Sequence, residues 1–214
     1  MMVPVSDKAA IFDVDRTLIG VPTERLFFGF LIWRKKIAWR QATRYFQQLI
    51  GNWEDRYTNK SYLQGLAVRE VDSLADDCYR SLIRPRLSPK GLTCLKDHRR
   101  QRHRIVVLTG SLECLMAPLQ RDLDADWLIA TKLETAGECY TGRISGAHPR
   151  GKHKLELLQD LARRNGIDLS VSTAYADHSS DLPLLLHIGR PVVVNPSFRL
   201  LVLARQRRWP ICRF

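Results

Sequence analysis

Apolar runs and amphipathic stretches alternate along most of this chain, and their order predicts an α/β fold. KAAIFDV (8–14) and RIVVLTGS (104–111) are apolar runs that end abruptly in polar residues, which is typical of buried parallel strands. Further strands are predicted in WLIATKLE (127–134), CYTGRI (139–144), STAYADHSSD (172–181) and RPVVVNP (190–196). Strands that alternate with helices form a mostly parallel sheet, whose ligands collect beyond the carboxyl ends of the strands.

Helical patterns separate these strands. Ser88 and Pro89 are typical of an N-cap and a first helical turn, so a helix is predicted to begin there. GKHKLELLQDLARRNG (151–166) is an amphipathic pattern that Asn165 and Gly166 should close. Both helices fit between predicted strands, as the alternating α/β order requires.

Residues 23–83 differ from the rest, because their apolar positions recur at helical spacing instead of forming short runs. These positions are Leu26, Phe27, Phe30, Leu31, Ala42, Tyr45, Phe46, Leu49, Val71, Leu74, Ala75, Cys78, Tyr79 and Leu82. We therefore predict a helical cap of residues 21–87, inserted after the first strand of an α/β core made of residues 1–20 and 88–214.

The chain has no pattern of membrane insertion or export. Its longest apolar run, LFFGFLIW (26–33), is too short to span a bilayer and is closed by RKK, and the N-terminus lacks a signal-peptide pattern. The five cysteines fall singly, without the paired spacing of a zinc site or a disulfide framework. We expect a cytoplasmic protein with reduced cysteines.

The net charge of the chain indicates which kinds of partner it can bind. The chain of 214 residues carries 34 Lys and Arg against 22 Asp and Glu, a formal charge of +12. Such a balance favours an anionic partner, which leaves a phosphorylated metabolite, a nucleic acid or an acidic membrane surface. RRQRHR (99–104) and RQRRWPICR (205–213) could contact nucleic acid, but no recognition motif accompanies them, so we interpret them as solvated basic faces.

Charged and hydroxyl side chains collect where the predicted strands end. They are Asp13, Asp15, Thr17, Thr109, Ser111, Asp177 and Asp181, with Lys154 on the helix between the last two groups. Clustered carboxylates repel one another unless a cation neutralises them, and an all-oxygen site suits Mg²⁺. A lysine and hydroxyls beside such an ion are what a phosphoryl group in transfer needs, so the pattern predicts phosphoryl chemistry.

The order of these motifs resembles a known family. DVDRT (13–17), the hydroxyl after RIVVL, the lysine of GKHK and the acidic pair of ADHSSD (176–181) resemble the four motifs of the haloacid dehalogenase (HAD) superfamily of phosphatases. The helical cap between the first two motifs resembles its phosphoserine phosphatase-like subfamily, IB. The resemblance implies a Rossmann-like core, a Mg²⁺ cofactor and an aspartyl-phosphate intermediate.

The same resemblance implies a role for each matching residue. Asp13 would be the nucleophile, and Asp15 would protonate the leaving oxygen and later deprotonate the hydrolytic water. The remaining implied roles are phosphoryl binding by Thr109, Gly110 and Lys154, Mg²⁺ binding by Asp13, the backbone carbonyl of Asp15 and Asp177, and orientation of the metal ligands by Asp181.

Several positions depart from the subfamily pattern. Arg16 stands where Gly or Ser is usual, and the substrate-reading Glu of the cap is replaced by Pro22, with Glu24 two residues later. His178 lies inside the last acidic motif. We take Arg16, Glu24 and His178 as candidate contacts to the substrate or the cap, while a solvated loop arginine or a salt bridge remains open for Arg16.

We therefore predict a Mg²⁺-dependent phosphomonoesterase for a small phosphorylated metabolite, with no nucleic-acid partner and no predicted oligomeric state. Two alternatives stay open. One is a lipid-phosphate phosphatase, similar to phosphatidylglycerophosphate phosphatases, whose segment 26–46 lies on a membrane surface instead of forming the cap's core. The other is a basic nucleic-acid-binding protein with a retired active site.

Overall fold

A seven-stranded sheet is the centre of the computed structural model, which describes residues 7–37, 43 and 59–214. The strands are β1 (Ala9–Phe12), β2 (Arg104–Leu112), β3 (Trp127–Ala136), β4 (Cys139–Ser145), β5 (Thr173–Ala176), β6 (Arg190–Val194) and β7 (Ile211–Cys212). Their order is β4-β3-β2-β1-β5-β6-β7. Within the described residues β3 and β4 pair antiparallel and the other neighbours pair parallel, which confirms the predicted mostly parallel sheet.

Helices follow most of the strands. They are α1 (Thr23–Trp33), α2 (Val68–Cys78), α3 (Pro89–Arg100), α4 (Glu113–Leu123), α5 (Lys152–Asn165), α6 (Leu182–His187) and α7 (Phe198–Gln206). Shorter turns are a π-helical turn at Tyr79–Ile83 and 3₁₀ turns at Ser61–Leu63, Arg84–Arg86 and Ser179–Asp181.

The central strand β1 shows why the sheet is covered on both faces. Its four residues are all buried, and they alternate between two apolar clusters as the two-residue period of a strand requires. Ala10 and Phe12 pack in the cluster that includes residues of α3 and α4. Ala9 and Ile11 pack in the cluster that includes residues of α5, α6 and α7. Because both faces of β1 are buried, its sequence is an unbroken apolar run.

The two predicted helix boundaries are found in the structure. The hydroxyl of Ser88 accepts a hydrogen bond from the backbone N–H of Gly91 at 3.2 Å, which caps α3. Gly166 follows α5 with a φ of +68°, the left-handed conformation that closes many helices.

Two strand predictions need correction. β3 extends to Ala136, two residues beyond the predicted segment, so the turn to β4 is shorter than expected. Part of RQRRWPICR, which we interpreted as a basic face, is strand β7, paired through Ile211 to Val193 and through Cys212 to Val194. Two residues are too few to show a strand's alternation, so the pattern could not reveal β7.

Helices α1 and α2 lie between β1 and β2 in the chain, where the cap was predicted. Phe27, Phe30 and Leu31 of α1 are buried and pack in one apolar cluster with the buried residues of α2. The apolar positions therefore form a core, as the cap interpretation expects. The predicted stripe over 42–49 lies outside the described residues, apart from Thr43, and the cap boundaries of 21 and 87 stay a prediction.

The segment that leads into α2 is hydrogen-bonded to the edge of the sheet. The backbone N–H of Lys60 donates to the carbonyl of Gly142 at 3.0 Å, and that of Gly65 donates to Tyr140 at 2.9 Å. The N–H of Tyr140 donates in turn to Leu66 at 3.0 Å. We call residues 59–68 the docking segment, because these bonds dock it on β4.

A glycine makes this docking possible, and its replacement should destabilise the fold. Gly142 has a φ of +80°, and a Cβ there would lie 2.9 Å from Cα of Ser61. We expect Gly142→Ala to lower the free energy of unfolding by about 3 kcal/mol, from left-handed strain and backbone overlap together. Urea denaturation measures the loss. Gly137→Ala is the matched control, because Gly137 has a φ of +60° but nothing within 4 Å of its added Cβ. Equal losses in both variants would contradict the packing contribution.

Three further features concern the cysteines, the helices and the basic run. All five cysteines are free thiols. None of the helices that the structure describes is long and apolar enough to cross a membrane. The basic run 99–104 is partly neutralised, because Arg104 pairs with Asp7 at 2.8 Å and with Asp126 at 3.1 Å, and Arg99 pairs with Asp124.

Candidate active site

Three buried carboxylates meet at the carboxyl ends of two neighbouring strands. Asp13 directly follows β1, Asp177 directly follows β5, and Asp181 ends the 3₁₀ turn after Asp177. Each offers an oxygen atom, and these atoms all lie within 4.8 Å of one another. Because β1 and β5 are adjacent and parallel, their ends bring the three side chains together.

Lys154 lies among these carboxylates. Its side chain comes from the first turn of α5 and is 4% exposed, and its Nζ donates to Oδ1 of Asp13 at 2.7 Å and to Oδ2 of Asp181 at 3.1 Å. Lys152, the other lysine of the motif, is exposed. The structure therefore assigns the buried position to Lys154.

The cluster holds more negative charge than one lysine neutralises. Burial raises the pKa of Asp13 to about 6, although Lys154 lowers it, and the nearby Asp181 adds to the rise. Burial and the charges of Asp13 and Asp181 raise the pKa of Asp177 to about 7. Burial alone would lower the pKa of Lys154, but the two carboxylates it contacts raise it. The site is thus electrostatically suited to an additional cation.

The loop after β1 fixes the orientation of Asp13. The hydroxyl of Thr17 donates to Oδ2 of Asp13 at 3.0 Å, so both carboxylate oxygens have a protein partner. Arg16 enables this turn with a φ of +62°, a left-handed conformation that is costly for residues other than glycine. The Arg16 side chain is exposed, and its backbone carbonyl accepts from the side-chain amide of Asn195 at 3.1 Å.

The carboxylate of Asp15 has its hydrogen-bond partners in other elements. Its Oδ1 accepts from the backbone N–H of Thr23 at 2.8 Å, at the start of α1, and its Oδ2 accepts from the hydroxyl of Ser111 at 2.9 Å. The Thr23 and Ser111 hydroxyl oxygens are 2.6 Å apart and share a hydrogen bond. Burial raises the pKa of Asp15 although these hydrogen bonds lower it, which favours a carboxyl that can carry a proton.

The last residues of β2, where its pairing with β3 shifts register, are held in place from two sides. The buried hydroxyl of Thr109 accepts from the backbone N–H of Ser111 at 3.1 Å. The carbonyl of Gly110 accepts from the hydroxyl of Thr131 at 2.7 Å. Since Thr131 uses its proton there, Nδ1 of His148 is the donor in the 2.8 Å contact with Thr131. A Cβ on Gly110 would lie 3.4 Å from Cε1 of His148, so the imidazole lies against this part of β2.

The cap contributes a charged cluster, and only one of its three residues was a predicted site residue. The carboxylate of Glu24 accepts from Nζ of Lys60 at 2.7 and 2.8 Å and from the hydroxyl of Tyr62 at 2.9 Å. Glu24 was a candidate, whereas Lys60 and Tyr62 were not. We call these three residues the Glu24 cluster. Nothing in the sequence marks a single lysine 36 positions away as the partner of Glu24.

His178 shapes the turn that carries Asp181. Its Nδ1 accepts from the backbone N–H of Ser180 at 3.1 Å, which caps the 3₁₀ turn. The side chain is half-buried, and burial lowers its pKa. His178 therefore has a local structural contact, and its contact with substrate stays a prediction.

Comparisons with known proteins agree with this arrangement. The family model of haloacid dehalogenase-like hydrolases matches residues 10–186. The chain is 30% identical to the inhibition of morphological differentiation protein of Streptomyces azureus, over 96% of this chain and 78% of that protein. It is 29% identical to phosphoserine phosphatase SerB1 of Mycobacterium tuberculosis, over 96% of this chain and 70% of that one. A solved structure of a Bordetella pertussis protein of unknown function has a TM-score of 0.86 at 24% identity, over 97% and 99% of the two chains, and so shares the fold.

Proposed function

Because the chain belongs to the haloacid dehalogenase-like hydrolase family, we propose that it is a Mg²⁺-dependent phosphatase of a small phosphorylated metabolite, acting through an aspartyl-phosphate intermediate. The chain is a phosphoric monoester hydrolase, as the family match and its phosphatase-named relatives indicate. The metal, the intermediate and the substrate class are the proposed parts. The observation that carries them is the buried contact of Lys154 with Asp13 and Asp181 beside Asp177.

The residues at the strand ends fit a magnesium ion. Three buried carboxylates supply hard oxygen ligands close together, and burial and mutual repulsion raise the pKa values of Asp13 and Asp177. We assign Asp13, Asp177 and the backbone carbonyl of Asp15 as ligands, with Asp181 orienting them or binding directly. The ion would neutralise phosphoryl oxygens of the substrate.

Asp13 is the proposed nucleophile. One carboxylate oxygen attacks phosphorus, the bond from phosphorus to the leaving oxygen breaks, and an aspartyl phosphate forms. Water then attacks phosphorus, inorganic phosphate leaves, and the carboxylate is restored. Lys154 and Thr17 hold Asp13 in a fixed orientation before the first step, which lowers the entropy lost on reaching the transition state. Lys154 also offers positive charge to the phosphoryl group.

Asp15 is the proposed acid and base. The raised pKa favours a proton on its carboxyl, which it gives to the leaving oxygen, and the resulting carboxylate then accepts a proton from the attacking water. Its two hydrogen bonds, from Thr23 and Ser111, hold the carboxyl in place and connect it to the start of α1 and the end of β2. Thr109 and Gly110, near the end of β2, remain the proposed phosphoryl-binding residues.

Phosphate release tests this proposal. We expect release from at least one member of a panel of sugar, amino-acid, nucleotide and lysolipid monophosphates with Mg²⁺, loss of release with EDTA, and recovery when Mg²⁺ is restored in excess. Release that persists unchanged in EDTA would contradict the metal requirement. Absence of release from every member by folded, Mg²⁺-loaded protein would contradict the proposed function.

The ion pairs of the basic residues after α1 favour a metabolite over a lipid surface. Trp33 is 72% exposed and precedes three basic residues, which is the pattern that suggested an interfacial helix. Two of those basic residues are engaged within the cap, since Arg34 pairs with Asp77 at 2.8 Å and Lys36 pairs with Glu70 at 2.7 Å. Lysolipid phosphates in the panel test the lipid alternative directly.

A further inference from the structure

The Glu24 cluster lies beside the proposed proton donor. Glu24 is in the first turn of α1, directly after Thr23, whose N–H holds Asp15. Burial is the main cause of the raised pKa of Asp15 and of the lowered pKa of His148, and the charges of Glu24 and Lys60 add to these two shifts respectively. Because Glu24 adjoins the residue that holds the Asp15 carboxylate, the cluster lies next to Asp15. A leaving group protonated by Asp15 would lie near it.

The charge of Glu24 is already neutralised by the protein. Both of its carboxylate oxygens accept from Nζ of Lys60, and one also accepts from Tyr62. Lys60 is 1% exposed, and its backbone N–H is bonded to Gly142 in the docking segment's contact with β4. Lys60 is thus a permanent partner of Glu24, held in place by its backbone hydrogen bond as well as by the ion pair.

This arrangement disfavours a substrate ammonium group. An ammonium that approached Glu24 would either displace Lys60, leaving a buried cation unpaired, or lie beside it and be repelled. Hydroxyl groups meet neither obstacle, because a hydroxyl both donates and accepts and can add to a neutral cluster of donors and acceptors.

We propose that the Glu24 cluster makes this phosphatase select phosphomonoesters whose leaving group carries hydroxyls and no ammonium group, such as polyol or hydroxy-acid phosphates. The inference rests on the proposed phosphatase function and adds the substrate class. Lys60 is its specificity-determining residue, because it occupies the carboxylate that would otherwise bind a cation.

Matched substrate pairs test this selection. O-Phosphoserine and 3-phosphoglycerate differ by an ammonium in place of a hydroxyl, as do O-phosphoethanolamine and ethylene glycol monophosphate. We expect kcat/KM to favour the hydroxyl member of each pair by about 10-fold or more. Equal values, or preference for the ammonium members, would overturn the inference.

A substrate without an ammonium group or a hydroxyl distinguishes an error in the proposed selection from an error in the proposed phosphatase function. If p-nitrophenyl phosphate is hydrolysed and neither hydroxyl substrate is, the selection is wrong while phosphatase activity stands. If none of the five phosphates is hydrolysed by folded, Mg²⁺-loaded protein, the proposed function fails, and this inference fails with it.

Releasing Glu24 should reverse the preference. We expect Lys60→Met to raise the ammonium-to-hydroxyl ratio of kcat/KM by about 10-fold, since an unpaired carboxylate attracts the substrate cation. The double variant Lys60→Met with Glu24→Gln should lose this gain. Lys36→Met removes an exposed ion pair of the same cap and should leave the ratio unchanged.

Two results with these variants would contradict the role of Lys60. An unchanged ratio in folded Lys60→Met, or an equal gain in Lys36→Met, would overturn the role of Lys60. If Lys60→Met does not fold, the wild-type ratios of the two matched pairs decide the inference.

Discussion

We expect Asp13→Asn to lower kcat by about 10⁴-fold or more while the protein stays folded. An amide of the same shape cannot form an acyl phosphate, although its oxygen can still accept from Lys154 or Thr17. Phosphate release under substrate saturation measures the loss, and circular dichroism checks the fold.

The same substitution should not destabilise the metal-free protein. The folded-state pKa of Asp13, about 6, lies above its ordinary value of 3.8, so this carboxyl destabilises the fold increasingly as the pH rises from about 4 to about 6, and the full cost is present above pH 6. We expect Asp13→Asn in EDTA to be within about 1 kcal/mol of wild type at pH 4 and more stable by roughly 1–3 kcal/mol at pH 8. Urea denaturation at both pH values measures the difference. A variant that is inactive because it is unfolded, or one that retains full turnover, would contradict the role of Asp13.

Lys154→Met is expected to impair both stability and turnover. Methionine has a similar length and no charge, so Asp13 and Asp181 lose their shared buried cation. In EDTA at pH 8 we expect a loss of about 3 kcal/mol in the free energy of unfolding, and a fall in kcat of about 10³-fold with Mg²⁺. Without Lys154 the pKa of Asp13 rises further above 6, so the part of the loss due to Asp13 should shrink as the pH falls from 8 toward 6, where the carboxyl becomes protonated in both proteins.

Lys152→Met is the control for this prediction, because Lys152 is exposed in the first turn of the same helix. Its removal should leave stability within about 0.5 kcal/mol of wild type. Similar losses in the two variants would show that helix α5, and not the buried charge, accounts for the effect.

The sequence predicted the elements whose burial is strongest. β1 and the buried part of β2 are flanked by parallel neighbours, so burial on both faces left an unbroken apolar run that a single chain reveals. The positions of Asp13 and Asp177 followed from the same logic, because each is the first polar residue after its strand. Residues at the ends of adjacent parallel strands must be neighbours.

The contacts of the cap could not be predicted in this way. Whether Glu24 meets Lys60 depends on how the docking segment lies on β4, and that is decided by backbone hydrogen bonds that carry no side-chain pattern. The partners of Asp15 likewise depend on where α1 begins relative to β2. Arg16 shows a further limit, since its left-handed backbone is the kind that sequence preferences assign to glycine.

The docking segment also bears on how this protein can be recombined with its relatives. A chimera that exchanges only the predicted cap would replace the residues that pair with β4, and the N–H and carbonyl of Tyr140 would then face whatever backbone the donor supplies. An uncovered strand edge is a template for aggregation. The transferable module is therefore the cap together with the β3–β4 hairpin, two pieces of chain that are distant in sequence and joined by backbone hydrogen bonds.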